Sequence, residues 1–209
     1  MIEISAKQIE QIETILSNIP GGMEKAISSA MSRAQSAMRS TAIKGITQYY
    51  DIKPDAIRDR KKTTINLTKR KIDGGIIGSV KFSGGKIPLY RFGVSHKAPK
   101  SKPYRVPVNF GGNWAMANPG VPVSARQLKS SPLKLFRNSF IAVMQSGHYG
   151  MFERMGRGST PIREFMGAST PEMAERTQVR KKAEDAAIET MSKRLEHEIT
   201  RILNGHGMR

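Results

Sequence analysis

Apolar residues recur at three- and four-residue steps near both ends of the chain. The first stripe runs over residues 23–50 and comprises Ile27, Ala30, Met31, Ala34, Met38, Ala42, Ile46 and Tyr49. The second stripe comprises Val179, Ala183, Ala187, Met191, Leu195, Ile199 and Ile202. This spacing gathers the apolar side chains on one face of an α-helix. The sequence therefore predicts two long amphipathic helices.

Local signals around these helices predict where they begin and end. A shorter N-terminal helix is predicted from Ile9, Ile12, Ile15, Leu16 and Ile19. It is expected to stop at Pro20, Gly21 and Gly22, because Pro cannot continue the hydrogen-bond ladder and Gly disfavours helix. The C-terminal helix is expected to take its cap from Ser169, Thr170, Pro171 and Glu172, which supply a hydroxyl acceptor and an acid for the first turn.

In the middle of the chain the apolar period changes to two. Ile65 and Leu67 alternate with polar residues, and the same alternation continues through Ile76, Gly78, Val80 and Phe82. Such alternation predicts β-strands, here joined through Asp73, Gly74 and Gly75. Residues 140–144 are apolar throughout, which is typical of a central strand covered on both faces. Residues 149–154 are its expected hairpin partner, across Ser146, Gly147 and His148.

These elements predict an α+β fold in a single domain that spans residues 1–209. The N-terminal helices occupy residues 1–58, a basic β-rich body residues 59–168, and the C-terminal helix residues 169–209. We expect a mainly antiparallel sheet of four to six strands, with the long C-terminal helix packed on it over residues 140–144. Residues 97–120 are rich in Pro, Gly, Lys and Asn, and they predict a long basic loop that reaches a partner.

Composition excludes several classes of protein. The chain has no Cys, so it has no disulfide framework and no thiolate nucleophile. No apolar run approaches the roughly 18 residues of a membrane span, and the N-terminus lacks the pattern of a secretory signal. We therefore expect neither a membrane partner nor export.

Charge is the most extreme property of the sequence. Lys and Arg number 35 against 17 Asp and Glu, a formal net charge of +18. The excess is concentrated over residues 51–110, which hold 15 basic and 4 acidic residues. A polyanion or an acidic protein surface would relieve the self-repulsion of this region. The alternative is that these cations only solvate the surface. The candidate contact residues are Arg58, Arg60, Lys61, Lys62, Lys69, Arg70, Lys71, Lys97, Lys100, Lys102 and Arg105.

No catalytic signature accompanies this charge. The four histidines, at positions 96, 148, 197 and 206, are too far apart in sequence to form a local metal-binding pair. No glycine-rich phosphate loop and no nucleophile elbow is present. We expect no enzymatic activity, no cofactor and no metal.

One region resembles a known family. The pattern comprises Ser146, Gly147, His148, Gly150, Phe152 and Arg154, followed by Pro161, Ile162, Arg163 and Glu164. Over about residues 130–175 the chain resembles the prophage minor tail protein Z family of tailed bacteriophages. It departs from the pattern at Ala168, where the family more usually has Pro. By physical chemistry alone, the Gly and Pro residues of this region are best explained as determinants of the fold.

The resemblance implies a structural virion protein without catalysis. Such a tail-completion protein would be made in the host cytoplasm and form a ring, expected to be a hexamer, at the head-proximal end of a long tail. Its partners would be its own copies, a tail terminator or tail tube protein, the connector or neck proteins, and the end of the packaged DNA. Whether the cations face DNA or an acidic protein stays open. The alternative function is a stand-alone basic nucleic-acid-binding protein.

Overall fold

The structure is a computed structural model that describes residues 2–4, 6–59, 63–72, 75–95, 105–110, 113–117, 123–144, 146–156 and 161–205. Six of the candidate contact residues lie outside the described residues: Arg60, Lys61, Lys62, Lys97, Lys100 and Lys102. The helices are α1 (Ala6–Ile15), α2 (Gly22–Tyr49), α3 (Pro54–Arg58), α4 (Thr170–Ala174) and α5 (Thr177–Leu203), with one 3₁₀ turn at Leu89–Arg91. No helix in these ranges is long and apolar enough to cross a membrane.

Thirteen strands are described between and around these helices. In chain order they are β1 (Ile2–Ile4), β2 (Thr63–Ile72), β3 (Gly75–Gly84), β4 (Lys86–Pro88), β5 (Gly93–Val94), β6 (Arg105–Phe110), β7 (Asn113–Ala117), β8 (Val123–Arg126), β9 (Lys134–Phe136), β10 (Ser139–Val143), β11 (Tyr149–Arg154), β12 (Ile162–Glu164) and β13 (Met166–Ser169). The α+β class predicted from the sequence is confirmed.

The strands form four sheets, of which the largest has five strands, where the sequence analysis expected a single sheet of four to six strands. Their strand orders are β1-β3-β2, β12-β11-β10-β7-β6, β13-β4 and β5-β8-β9. The prediction of a long loop over residues 97–120 stays a prediction. Within that range the structure describes β6 and β7, which pair with each other.

Contacts divide the chain into two compact units. Unit 1 comprises residues 1–45, 64–83 and 174–209, and unit 2 comprises residues 46–63 and 84–173. The prediction of a single domain stays a prediction, because a compact unit is not by itself a domain that folds alone.

Unit 1 is organised by the two long helices. The apolar stripe of α2 is buried through Ile27, Met31 and Ala34, as its spacing predicts. Helix α5 runs antiparallel to α2, because Gly45 lies against Val179 at one end and Gly22 against Ile202 at the other. The expectation that α5 packs on residues 140–144 is therefore corrected: an apolar stripe fits a second helix as well as a sheet, and the sequence does not distinguish the two.

Unit 2 contains the predicted hairpin. Strands β10 and β11 pair in antiparallel register, with Ala142 opposite Gly150 and Phe140 opposite Phe152. Phe140, Ala142 and Phe152 form a buried cluster, against which Met144 and Ile162 pack. β10 lies between β11 and β7, so the prediction of a central strand is confirmed. Its successive residues from Ser139 to Ala142 are buried, so both faces of the strand are covered there.

Candidate functional site: the basic strands and the hairpin motif

The structure distributes the predicted cations over both units. Arg58 is exposed at the end of α3 in unit 2, and Arg105 begins β6 in the same unit. The backbone of Lys69, Arg70 and Lys71 belongs to β2 in unit 1. The described members of the set are therefore divided between the two units.

The strand that carries Lys69, Arg70 and Lys71 is fastened to α2 by a buried amide. Gln35 is 2% exposed, and its Nε2 donates to the carbonyl oxygens of Thr68 at 2.7 Å and Ser79 at 3.1 Å. A buried side-chain amide is costly unless its hydrogen bonds are made, so these two bonds fix β2 and β3 on the helix. The hydroxyls of Thr68 and Ser79 also lie 2.6 Å apart across the two strands.

Gly78 allows the same strands to approach α2 closely. A Cβ at this position would overlap the side chain of Met31. Sequence analysis placed Gly78 in the strand pattern but missed Gln35. Gln35 directly follows Ala34 of the apolar stripe of α2, which is consistent with a buried position. The same position is equally consistent with an exposed residue, so the sequence does not distinguish the two.

The segment between α3 and β2 is held at both of its ends. The backbone N–H of Thr63 donates to the carbonyl of Asp59 at 2.8 Å. The hydroxyls of Thr63 and Thr170 lie 2.7 Å apart, and both residues are buried. Asp59 also meets Arg91, with 3.9 Å between the guanidinium and the carboxylate.

Two carboxylates in unit 2 form ion pairs with arginines that lie on strands. Arg126 Nε donates to Asp51 Oδ2 at 2.7 Å, and Arg163 Nε donates to Glu153 Oε1 at 2.6 Å. Between Asp73 and Glu153 the chain contains no acidic residue at all, but it contains eleven Lys and Arg residues. Unit 2 as a whole contains 18 Lys and Arg residues and 6 Asp and Glu residues, so it carries a large excess of positive charge.

The hairpin motif is the pattern of residues within 146–154 and 161–164 that resembles the tail protein family. It contains a polar contact between side chains that are distant in sequence. His148 Nε2 lies 2.7 Å from Glu164 Oε1, which joins the turn before β11 to the neighbouring strand β12. The ring of Phe152 meets His148 edge to face, with centroids 6.4 Å apart. Both members of the pair keep part of their surface, with side chains 38% and 23% exposed. The sequence pattern did not predict the pair, because β11 and a connecting segment separate its two members along the chain.

Gly150 is required beneath this pair. A Cβ at Gly150 would lie 2.6 Å from Glu164 Oε1 and 2.6 Å from the ring of Phe152. Gly147 has φ +79°, a conformation that favours glycine in the turn between β10 and β11. The spacing of Gly147, His148, Gly150 and Phe152 is thus explained by one turn and one packed contact.

The predicted cap at Ser169 exists, but it belongs to α4. The backbone N–H of Ser169 donates to Glu172 Oε2 at 2.7 Å, and Glu172 N lies 3.4 Å from Ser169 Oγ. This is a reciprocal capping box. The bond from the Ser169 N–H lowers the pKa of the Glu172 carboxyl from its ordinary value of 4.5. The expectation that these residues begin the long C-terminal helix is wrong, since α5 begins at Thr177.

The aromatic residues near the basic region have different environments. Phe92 is buried and lies against Gly167, where a Cβ would meet its ring at 2.5 Å. Tyr90 stacks on Tyr149, with ring centroids 5.9 Å apart. Phe92 is therefore a core residue, whereas Tyr149, 48% exposed, remains accessible beside the hairpin motif.

Comparison with known proteins adds no relative. No protein-family description, curated protein or solved structure matches the chain. The resemblance to the minor tail protein Z family therefore stays a prediction that rests on the quoted residues. Among the described residues, no group of three or more His, Asp or Glu side chains is arranged to hold a metal ion.

Proposed function

We propose that this chain is a structural virion protein, a tail-completion protein that forms a ring at the head-proximal end of a long phage tail and contributes to head–tail joining. The observation that carries the proposal is the hairpin motif. The residues that resemble the family meet in one local structure, where His148 contacts Glu164 and Gly150 makes room for both Glu164 and Phe152. Residues with such packing roles are expected in a protein whose function is to present a surface.

The charge distribution supports the same proposal. A ring at the head–tail junction meets packaged DNA on its inner side and other proteins above and below. The acid-free stretch between Asp73 and Glu153 suits either contact. Phosphates would be bound with release of counterions, and an acidic neighbour would be oriented by complementary charge. The proposed partners are copies of this chain, a tail terminator or tail tube protein, and connector or neck proteins.

The proposal is tested in a phage whose genome encodes the chain, by a nonsense mutation and complementation with the wild-type gene. Loss of the protein is expected to leave filled heads and finished tails that fail to join, counted by negative-stain electron microscopy. In complemented virions, cryo-electron microscopy should locate the chain at the head–tail junction. Normal joined, infectious particles without the protein would contradict the proposal.

A stand-alone nucleic-acid-binding protein is the second candidate, favoured by the same acid-free stretch. This function would require the isolated protein to bind DNA with an affinity that falls steeply with salt. The expected slope of log K against log salt is about −0.9 for each phosphate contacted. Fluorescence anisotropy with a labelled duplex measures it. A steep fall of DNA affinity with salt, together with absence of the protein from purified virions, would favour this candidate over the first.

A further inference from the structure

Strand β9 forms one edge of a sheet in unit 2. In the β5-β8-β9 sheet, β8 lies on one side of β9, and no strand of the described ranges lies on the other. An edge strand presents backbone N–H and C=O groups that can pair with a further strand. Natural edges are usually protected by charge or by proline, and β9 follows Pro132 and contains Lys134.

The edge is accompanied by exposed apolar surface. Leu133 and Leu135 are 48% and 53% exposed. The register places Val123, which is fully buried, opposite Phe136, and it places Ser124 opposite Leu135. Since side chains alternate between the two faces of a sheet, Phe136 lies on the core side, and Leu135 lies on the outer side. The Phe136 ring packs edge to face on Phe165 at 5.0 Å, which anchors the core side.

Positive charge surrounds these leucines. Lys134 and Arg137 are exposed, and neither makes an ion pair with a carboxylate in the part of the chain that the structure describes. The Lys134 ammonium lies 5.9 Å from the centroid of the Phe136 ring. Both cations belong to the stretch between Asp73 and Glu153 that has no acid. The surface therefore combines a free strand edge, apolar side chains on one face and uncompensated cations.

We propose that β9 is a docking site for an extended segment of another protein in which acidic and apolar residues alternate. The segment adds as a fourth strand on the free edge of β9. Its apolar side chains cover Leu133 and Leu135, and its carboxylates lie on the face of Lys134. The inference rests on β9 and its neighbours alone, so it is independent of the phage assignment.

Charge decides between this occupant and the two other candidates. A second copy of the chain docked edge to edge through β9 would bring Lys134 and Arg137 against the same cations, and opposed like charges destabilise strand pairs. A nucleic acid would satisfy the cations but would leave the strand edge unpaired. An acidic strand satisfies the backbone groups, the leucines and the cations together.

Binding is measured by fluorescence anisotropy with the full chain and a fluorescein-labelled peptide, acetyl-Glu-Val-Glu-Val-Glu-Val-Glu-amide. The control peptide has Ser in place of each Val and therefore the same charge. A protein of charge +18 attracts any acidic peptide, so the ratio of the two affinities is the informative quantity. We expect the Val peptide to bind about tenfold more tightly, because it also buries apolar surface. Equal affinities would overturn the proposal in favour of non-specific attraction.

Two further peptides test the strand geometry. One carries N-methyl groups on its three Val residues, and the other carries them on its first three Glu residues. A strand uses the N–H groups of alternate residues toward one neighbour. Exactly one of the two methylated peptides is therefore expected to lose binding. Undiminished binding of both would exclude strand addition.

Variants of the protein locate the site. Leu135→Ser and Lys134→Glu are each expected to weaken the Val peptide about fivefold or more. The matched control is Leu67→Ser, which changes a leucine that is 43% exposed on β2, at the edge of another sheet and close to basic residues. It should change binding less than about twofold. Loss with Leu67→Ser but not with Leu135→Ser would overturn the assignment to β9.

Self-association is measured in the same samples by sedimentation velocity. If wild type forms oligomers that Leu135→Ser dissolves, the occupant of β9 is a second copy, and the proposal of a different protein is wrong. Failure of the peptide tests leaves the virion experiment unaffected. Failure of the virion experiment likewise leaves the peptide tests intact.

Discussion

The two compact units differ most in how they use acidic residues. Unit 1 contains 17 basic and 11 acidic residues, and unit 2 contains 18 basic and 6 acidic residues. In unit 1, acids on α5 pair with cations on the same helix, as Glu189 does with Lys193 at 2.6 Å. In unit 2, Glu153 pairs with Arg163 on the neighbouring strand, Asp51 pairs with Arg126 on β8, and Glu164 contacts His148 in the turn before β11. Two units with nearly equal numbers of cations therefore differ in net positive charge, because they differ in their number of acidic residues.

In unit 1, a buried carboxyl group lies at the interface between α2 and α5. Glu198 is 8% exposed, and its Oε1 accepts a hydrogen bond from Ser29 Oγ at 2.9 Å. Its other oxygen lies 2.6 Å from Arg201 Nη2. This carboxylate lies on the side of α5 that faces α2, and it links the two helices by a polar contact.

The largest expected effect concerns the core of unit 2. Ala142→Asp is expected to prevent folding of unit 2, because Ala142 is fully buried between Phe140 and Phe152 and the new carboxylate would have no partner. Circular dichroism and thermal melting measure the loss. Asn138→Asp, at an exposed position just before the same strand, is the matched control and should fold normally. A normal melting transition for Ala142→Asp would refute the core assignment.

The second prediction concerns the cations of β2 in unit 1 and whether they attract an anionic partner, as proposed for the cations of unit 2. Changing Lys69, Arg70 and Lys71 together to Glu should leave the chain folded but reduce the yield of infectious particles by about tenfold or more, since attraction to an anionic partner becomes repulsion. Plaque counts and circular dichroism measure the two properties.

The matched control for that triple variant reverses three exposed cations of α2, Lys25, Arg33 and Arg39. It produces the same change of net charge within the same unit. Equal loss with both variants would show that overall charge alone matters. An unchanged yield with the β2 variant would mean that its cations only solvate the surface.

The third prediction concerns the hairpin motif of unit 2. Gly150→Ala is expected to destabilise the protein by about 1–3 kcal/mol, because its Cβ must displace Glu164 or the ring of Phe152. Urea unfolding measures the change. Gly156→Ala is the control, since a Cβ there meets nothing within 4 Å. Equal stability of the two variants would contradict the close packing beneath the His148–Glu164 pair.

The fourth prediction concerns the corresponding contact in unit 1. Gln35→Leu should cost about 1–2 kcal/mol, because the Thr68 and Ser79 carbonyls lose a buried donor. Hydrogen exchange in β2 and β3 should increase as these strands loosen from α2. Gln11→Leu, on the exposed side of α1, supplies the control. Unchanged exchange in β2 would show that other contacts hold the strands.

The parts of both units that sequence patterns reveal are the local ones. The stripes of α2 and α5 and the pairing of β10 with β11 follow from residues close in sequence. The contact of Gln35 with two strands, the pair of His148 with Glu164 and the docking of α5 on α2 join distant segments. The spacing of apolar residues along the chain gives no information about those contacts. The basic residues were found by composition, but their separation into two units depends on how the chain returns to unit 1 at residue 64.

The smallest expected effect is a difference in pH dependence at the end of unit 2. Hydrogen bonding from Ser169 lowers the pKa of Glu172 in the folded state. Glu172 therefore contributes stability at pH above its unfolded-state pKa, and this contribution disappears as the pH falls through the lower folded-state pKa. Glu172→Gln cannot titrate, so its stability relative to wild type should rise on acidification. Urea unfolding of both proteins from about pH 6 to about pH 3 spans the range in which Glu residues titrate. Parallel pH profiles would show that the Glu172 charge contributes nothing to the α4 cap.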